Sequence, residues 1–216
     1  MPRLVCTANR DGDVMKLYGS KTSPFVRKIR VLAAEFDLPV TFVPEDPWAK
    51  SELLLGLNPL GKVPVLVMSD GQVVYDSLAI IDALDQSRDE ARRMIPSHGP
   101  KRIEALQWHV LAHGLIEAAV NRLLETRRPD DKQMPEMMVR EEQRFARTLD
   151  RVEHQLAGRS ASAGAQPDFV ALMLGVAMLY ADFRYPHDWR ATHPHLASLI
   201  ASVAERPSFT LTEPTA

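Results

Sequence analysis

Asn58-Pro59-Leu60-Gly61-Lys62-Val63-Pro64 reads as a loop that hands the chain to a β-strand. Its two prolines and its glycine leave no room for a helix. Val63-Pro64 stands at the head of the β-prone run 63–68, where a missing backbone donor is tolerated and where the Pro64 ring holds Val63 extended. X-Pro bonds are cis in about 5–6% of cases in folded proteins. If Val63-Pro64 is cis, the Val63 backbone groups turn outward and can pair with a peptide ligand as an added strand would.

Outward from this loop, the pattern alternates short β-prone runs with helical ones. Downstream, 63–68 and 73–75 flank Ser69-Asp70-Gly71-Gln72, whose Asp-Gly signals a hairpin. A helix follows from Ser77, with Leu78, Ile81 and Leu84 on one side. Upstream, Met15-Lys16-Leu17-Tyr18 is a first strand, 19–23 a turn-rich connection, and Pro24 fits the first position of a helix. Phe25, Ile29, Leu32, Ala33 and Phe36 give that helix one apolar face. Val40-Thr41-Phe42-Val43 is a second strand, and 51–57 a short helical patch. The order over 15–88 is therefore β-α-β, then β-β-α.

Beyond a charged connector at 89–100 the β-signal vanishes, leaving helical stretches at 101–126, 135–157, 168–184 and 195–205. The expected organisation is a flexible leader at 1–14, an α/β domain at 15–88, a linker at 89–100 and an all-helical domain at 101–216. Of the 216 residues, 45% are hydrophobic and 25% charged, an ordinary globular composition. A net charge of -2 provides no field to hold a polyanion, so nucleic acid is not an expected partner. The single cysteine, Cys6, cannot form an internal disulfide, as expected of a cytoplasmic protein. The leader lacks the apolar core of a secretory signal. The longest apolar run, 169–181, spans 13 residues. That is short of the roughly 20 a bilayer requires, so it reads as a buried helix and no membrane partner is expected.

Three places carry chemistry. Ser23 lies immediately before a helix that begins with proline, where unpaired N–H groups and the helix dipole favour an anion. A hydroxyl there can donate to a thiolate and lower a thiol's pKa, or can simply cap the helix. Val63-Pro64 offers an extended backbone edge. Asp76-Ser77 closes a strand and opens a helix, which suits an amino-acid zwitterion or, again, a helix cap. His109 and His113 share a helix face, but two ligands without a third do not make a metal site.

Taken together, Leu17-Tyr18-Gly19-Ser20, Ser23-Pro24-Phe25-Val26-Arg27-Lys28, Asn58-Pro59-Leu60-Gly61-Lys62-Val63-Pro64 and Asp76-Ser77 resemble the glutathione-binding half of the glutathione transferases. Arg127-Arg128-Pro129 and Ala181-Asp182-Phe183-Arg184-Tyr185-Pro186 resemble the second domain of a bacterial, serine-type branch. The resemblance implies a thioredoxin-like α/β domain followed by an all-α domain. It implies an enzyme of detoxification that holds glutathione as a thiolate co-substrate and conjugates it to a small electrophile, as a cytoplasmic homodimer without metal.

Carried over by position, Ser23 would be catalytic and face the sulfur, with Ser20 and Thr22 as substitute hydroxyls. Val63 would pair with the cysteinyl backbone beside Pro64, and Asp76 and Ser77 would hold the γ-glutamyl end. Lys50 would take the glycine carboxylate, and Phe25 and Lys62 would complete the glutathione site. Trp108, Ala112 and Leu115 would line the electrophile site. Serine rather than cysteine at position 23 argues for conjugation over thiol exchange. Two departures stand out: His113 replaces an aspartate that assists the glutathione ammonium, and Ala171 replaces the aspartate that completes a capping box after Asp168. The alternatives are a non-catalytic glutathione-binding or regulatory protein, or a glutathione-dependent peroxidase, isomerase or reductase.

Overall fold

The computed structural model describes residues 14–49, 51–159, 168–185 and 187–214. The chain divides into two compact units between Ser87 and Arg88, with Pro214 grouped with the first. The leader with Cys6, Lys50 and Pro186 lie outside the described residues.

In the first unit the expected order holds: β1 (Met15–Gly19), α1 (Pro24–Glu35), β2 (Val40–Pro44), α2 (Glu52–Leu57), β3 (Val65–Val67), β4 (Val73–Val74) and α3 (Ser77–Gln86). The sheet runs β2-β1-β3-β4, with β1 and β2 parallel and the other neighbours antiparallel. β3 starts later than the sequence suggests, because Pro64 has no N–H to give to a ladder. Gly71, at φ 87°, supplies the positive φ that the hairpin requires. Leu17, Val26, Ile29, Leu32, Val65, Leu66, Ile80 and Leu84 make the core, and α1 packs beside α3. Gly19 permits the β1–α1 approach: a Cβ there would lie 2.4 Å from Cγ2 of Val26.

The second unit contains α4 (Gly99–Thr126), α5 (Pro135–Ala157), α6 (Phe169–Arg184), α7 (Pro194–Ala204) and α8 (Pro207–Thr210), the last not foreseen in the sequence. Short 3₁₀ turns at Glu90–Arg92 and Asp130–Lys132 lead into α4 and α5. α6 is the buried centre: α4 and α7 pack on it, and Gly175 faces Phe209 and Val203 so closely that a Cβ would meet them at 2.8–2.9 Å. Among the described residues, no helix is long and apolar enough to cross a membrane. Asp168 caps α6 by accepting from Ala171 N–H at 2.8 Å, and its other oxygen meets Arg159 at 2.7 Å. The ion pair with the end of α5 thus accompanies a cap that lacks the expected reciprocal bond.

α7 begins with Pro194 and has no cap of its own, so Glu153 of α5 reaches across to supply one. Its carboxylate accepts from the N–H groups of His195 and Leu196, each at 2.9 Å, and meets the His195 ring at 2.7 Å. Burial alone would raise the Glu153 pKa, but these hydrogen bonds and His195 together hold it below the ordinary carboxylate value. A depressed carboxylate stabilises the fold fully above its unfolded pKa and loses that contribution as pH falls through its folded value. Glu153→Gln should therefore cost about 1 kcal/mol at pH 7, and that difference should shrink toward zero below about pH 4. Urea unfolding of both proteins at pH 7 and pH 3 measures this; an equal difference at both pH values would contradict the charged cap.

Candidate functional site

The strand registers bring the singled-out segments of the first unit to one end of its sheet. Tyr18 pairs with Val65, so the end of β1, leading to Ser23, adjoins the start of β3, preceded by Val63-Pro64. Leu66 pairs with Val74, so the exit of β4, leading to Asp76-Ser77, lies at that same end. Gly19 pairs with Pro44, and the Glu45 N–H donates to the Gly19 carbonyl at 2.9 Å, so β2 also exits there. The segment that carries Lys50 departs from this edge, although Lys50 itself lies outside the described residues.

Ser23 is the N-cap of α1 and is half-buried. Its Oγ accepts from the Val26 N–H at 3.4 Å, and its carbonyl accepts from Arg27 N–H at 3.0 Å. The cap uses the hydroxyl as an acceptor, which leaves its proton to donate elsewhere. Capping and thiolate donation are therefore compatible roles for one side chain. Ser20 and Thr22, the substitute hydroxyls, face each other at 3.0 Å, and Ser20 Oγ also accepts from the Thr22 N–H at 3.3 Å. One of their two protons is spent on that local turn.

The Val63-Pro64 bond is cis, as is Tyr75-Asp76. Among the described residues, the Val63 N–H and carbonyl have no hydrogen-bond partner. Pro64 is buried and Lys62 is exposed. Asn58, which the sequence reading passed over as a loop residue, builds this loop. It is 1% exposed; its amide donates to the Lys62 carbonyl at 2.8 Å and its Oδ1 accepts from the Leu60 N–H at 3.0 Å. Gly61, at φ 61°, returns its N–H to the Asn58 carbonyl at 2.9 Å. The signal was present, since Asn commonly bonds the backbone two residues on. Asn58→Ala should strip the two loop bonds made by the buried side-chain amide, lowering stability by about 1–3 kcal/mol and weakening any ligand held by Val63. Urea unfolding with calorimetric titration of glutathione tests this, and unchanged values for both would remove Asn58 from this role.

Asp76 caps α3: its Oδ1 accepts from the Leu78 N–H at 2.9 Å, and the side chain is exposed. The other carboxylate oxygen has no partner among the described residues. Ser77 follows at 1% exposure. Phe25 is half-buried, with the Lys28 Nζ 5.6 Å from its ring centroid.

In the helical unit, Ala112 and Leu115 are 0% exposed and Trp108 is 6% exposed. Ala112 and Leu115 offer no surface to a ligand in this structure. Trp108 borders a pocket of about 580 Å³ with mostly polar walls, among them Gln107, Arg151 and His154. His113 faces Glu117 one turn on, Nε2 to Oε1 at 3.6 Å, and Glu117 is in turn held by Arg144 at 2.7 Å. His109 packs edge-on against Phe169 at 5.3 Å. Among the described residues, no group of His, Cys, Asp and Glu is arranged to hold a metal ion.

Residues 22–87 match the family model described as glutathione S-transferase, N-terminal domain, and residues 116–201 match glutathione S-transferase, C-terminal domain. The uncharacterized GST-like protein YibF of Escherichia coli (strain K12) is 31% identical over 201 residues, 93% of this chain and 98% of that protein. A solved glutathione S-transferase from Methylobacillus flagellatus KT, with GSH bound, is 33% identical at a TM-score of 0.84, covering 93% of this chain and 100% of that one. A glutathione transferase family member from Pseudomonas fluorescens Pf-5, with bound glutathione, is 32% identical at a TM-score of 0.83, covering 94% and 100%. With the expected sheet, the helical second unit and this shared sequence along most of its length, the chain belongs to the glutathione S-transferase family.

Proposed function

We propose that the protein binds glutathione at the shared end of the sheet, holds its sulfur as a thiolate with Ser23, and conjugates it to a small electrophile. The observation that carries this reading is the Ser23 hydroxyl, whose oxygen serves the helix cap while its proton is left to donate. A hydrogen bond to the sulfur anion and the dipole of α1 both favour the charged form. A shift of about two units from the usual thiol value corresponds to roughly 2.7 kcal/mol of differential stabilisation. The free Val63 backbone pairs with the cysteinyl peptide, the open oxygen of Asp76 takes the ammonium, and Ser77 with its N–H takes the γ-glutamyl carboxylate. Phe25, Lys62, Pro64 and Lys50 complete the glutathione site. The bound glutathione in the M. flagellatus and P. fluorescens structures supports the choice of ligand.

Once the thiolate is formed, its electron pair attacks the electrophilic carbon and the leaving group departs with its own pair. The reading extends to a homodimer in the cytoplasm; the exposed stripe Ile103, Leu106 and Val110 on α4 supports the dimer, which sedimentation tests directly. Conjugation itself is tested by titrating glutathione calorimetrically and following turnover of 1-chloro-2,4-dinitrobenzene. Binding with turnover supports the enzyme. Binding without turnover across a panel of electrophiles favours a non-catalytic glutathione-binding protein, a reading motivated by His113 in place of the carboxylate. Product analysis with a hydroperoxide and a disulfide separates peroxidase and reductase chemistry.

A further inference from the structure

At the ends of α4 and α6 stand two guanidinium groups that meet no carboxylate among the described residues. Arg127 closes α4 as its C-cap residue, and Arg184 stands in the last turn of α6, the helix on which α4 packs. Neither has a carboxylate partner among the described residues. Nε of Arg184 is buried and has no hydrogen-bond partner among the described residues, while its guanidinium lies 3.9 Å from the ring centroid of Phe183. Tyr180 sits one turn before Arg184, on the same face of α6. It is 4% exposed, and its hydroxyl makes no hydrogen bond among the described residues.

The carboxylates closest in sequence are committed elsewhere. Asp182 accepts from Trp189 Nε1 at 2.8 Å and from Arg190 Nη1 at 3.0 Å. Glu125 accepts from Met134 N–H at 2.8 Å and meets Arg128 at 3.5 Å. A helix dipole favours a cation in the last turn, which accounts for an arginine at position 184. It does not account for a guanidinium N–H buried without an acceptor, which is costly unless something fills it.

We propose that Arg127, Tyr180 and Arg184 form a binding site for the oxyanion of a small organic acid, a carboxylate or sulfonate. Arg184 Nε–H and Tyr180 O–H are the donors that the acid would satisfy, and Arg127 adds charge. Burial raises the Tyr180 phenol above its ordinary pKa, with Arg184 and Arg127 drawing it partway back, so the hydroxyl remains a donor at neutral pH. Charge-assisted, partly buried donors of this kind discriminate strongly between an anion and its neutral counterpart.

Isothermal titration with 3,5-dinitrobenzoate and with neutral 1,3-dinitrobenzene tests the site. Because glutathione is omitted, the outcome is independent of the conjugation reading. The acid should bind about tenfold or more tightly than the neutral compound, and Arg184→Met should erase that preference. Tyr180→Phe, which keeps the ring and serves if the arginine variant does not fold, should reduce it severalfold. Competition by sodium sulfate identifies the source: displacement at similar affinity marks a site for free inorganic oxyanions, and weak displacement marks one for an organic acid. Equal binding of the acid and the neutral compound, or a preference unchanged in folded Tyr180→Phe, would overturn the proposal.

Discussion

Replacing Ser23 with alanine is expected to raise the pKa of bound glutathione from about 6.5 toward the free-thiol value of about 8.5. At pH 7 the ionised fraction would then fall from about three quarters to a few per cent. The rate of conjugation should fall less steeply, by about threefold, because a more basic thiolate is also the better nucleophile. The deficit should close as pH rises above about 9, where the thiol ionises without help. Alanine also removes the Val26 cap, at about 1 kcal/mol, whereas glycine at an N-cap costs only a few tenths. Ser23→Gly is therefore the paired variant that separates lost donation from lost capping. Ultraviolet titration of the bound thiolate, alongside the pH–rate profile, reads both quantities. An unchanged thiolate pKa and an unchanged profile in the two variants would dismiss Ser23 as the sulfur's donor.

Gly19→Ala is expected to destabilise the first unit by about 2–3 kcal/mol. The added methyl would stand 2.4 Å from Cγ2 and 3.0 Å from Cγ1 of Val26, a residue with 0% exposure and no space to withdraw. Either Val26 leaves its rotamer or α1 moves away from β1. Since the Val26 N–H is the donor in the Ser23 cap, a shift of α1 also disturbs the hydroxyl, and glutathione affinity should fall with stability. Val26→Ala alone leaves a cavity and costs about 1–3 kcal/mol, yet in the double variant each change relieves the other. Urea unfolding of the two single variants and the double variant should give a favourable coupling of about 1 kcal/mol or more. Additivity within about 0.5 kcal/mol would show that this contact does not explain the glycine.

The first unit was legible because its signals are local and concordant. Pro24 at a helix start, Asp70-Gly71 at a hairpin and apolar spacing in α1 each fix a short segment, and the order of segments narrows the sheet. The residue that organises the Asn58–Lys62 loop was missed because its action lies in three side-chain and backbone bonds, whereas the proline and glycine beside it dominate a reading by composition. α4 was harder. Its apolar residues occupy more than one face: Trp108, Ala112 and Leu115 are buried, whereas Ile103 and Val110 are exposed at 61% and 62%. Helical spacing alone does not say which face meets protein and which meets solvent. The capping of α7 by Glu153, more than 40 positions away, is likewise invisible to a window that slides along the chain.

Ser23, Val63 and Asp76 each lie beyond a strand end whose neighbour is distant in the chain, as Tyr18 is from Val65. A half-folded first unit in which α1 has formed but β3 has not docked presents Ser23 without the Val63 edge. No fragment of the unit can therefore hold the tripeptide in the way the closed sheet can. By mass action, a ligand that recognises only the closed sheet at a hundred times its dissociation constant adds about 2.7 kcal/mol to the folding of that unit. Under the proposed reading, the supply of glutathione thus becomes a term in the folding equilibrium of the protein that consumes it.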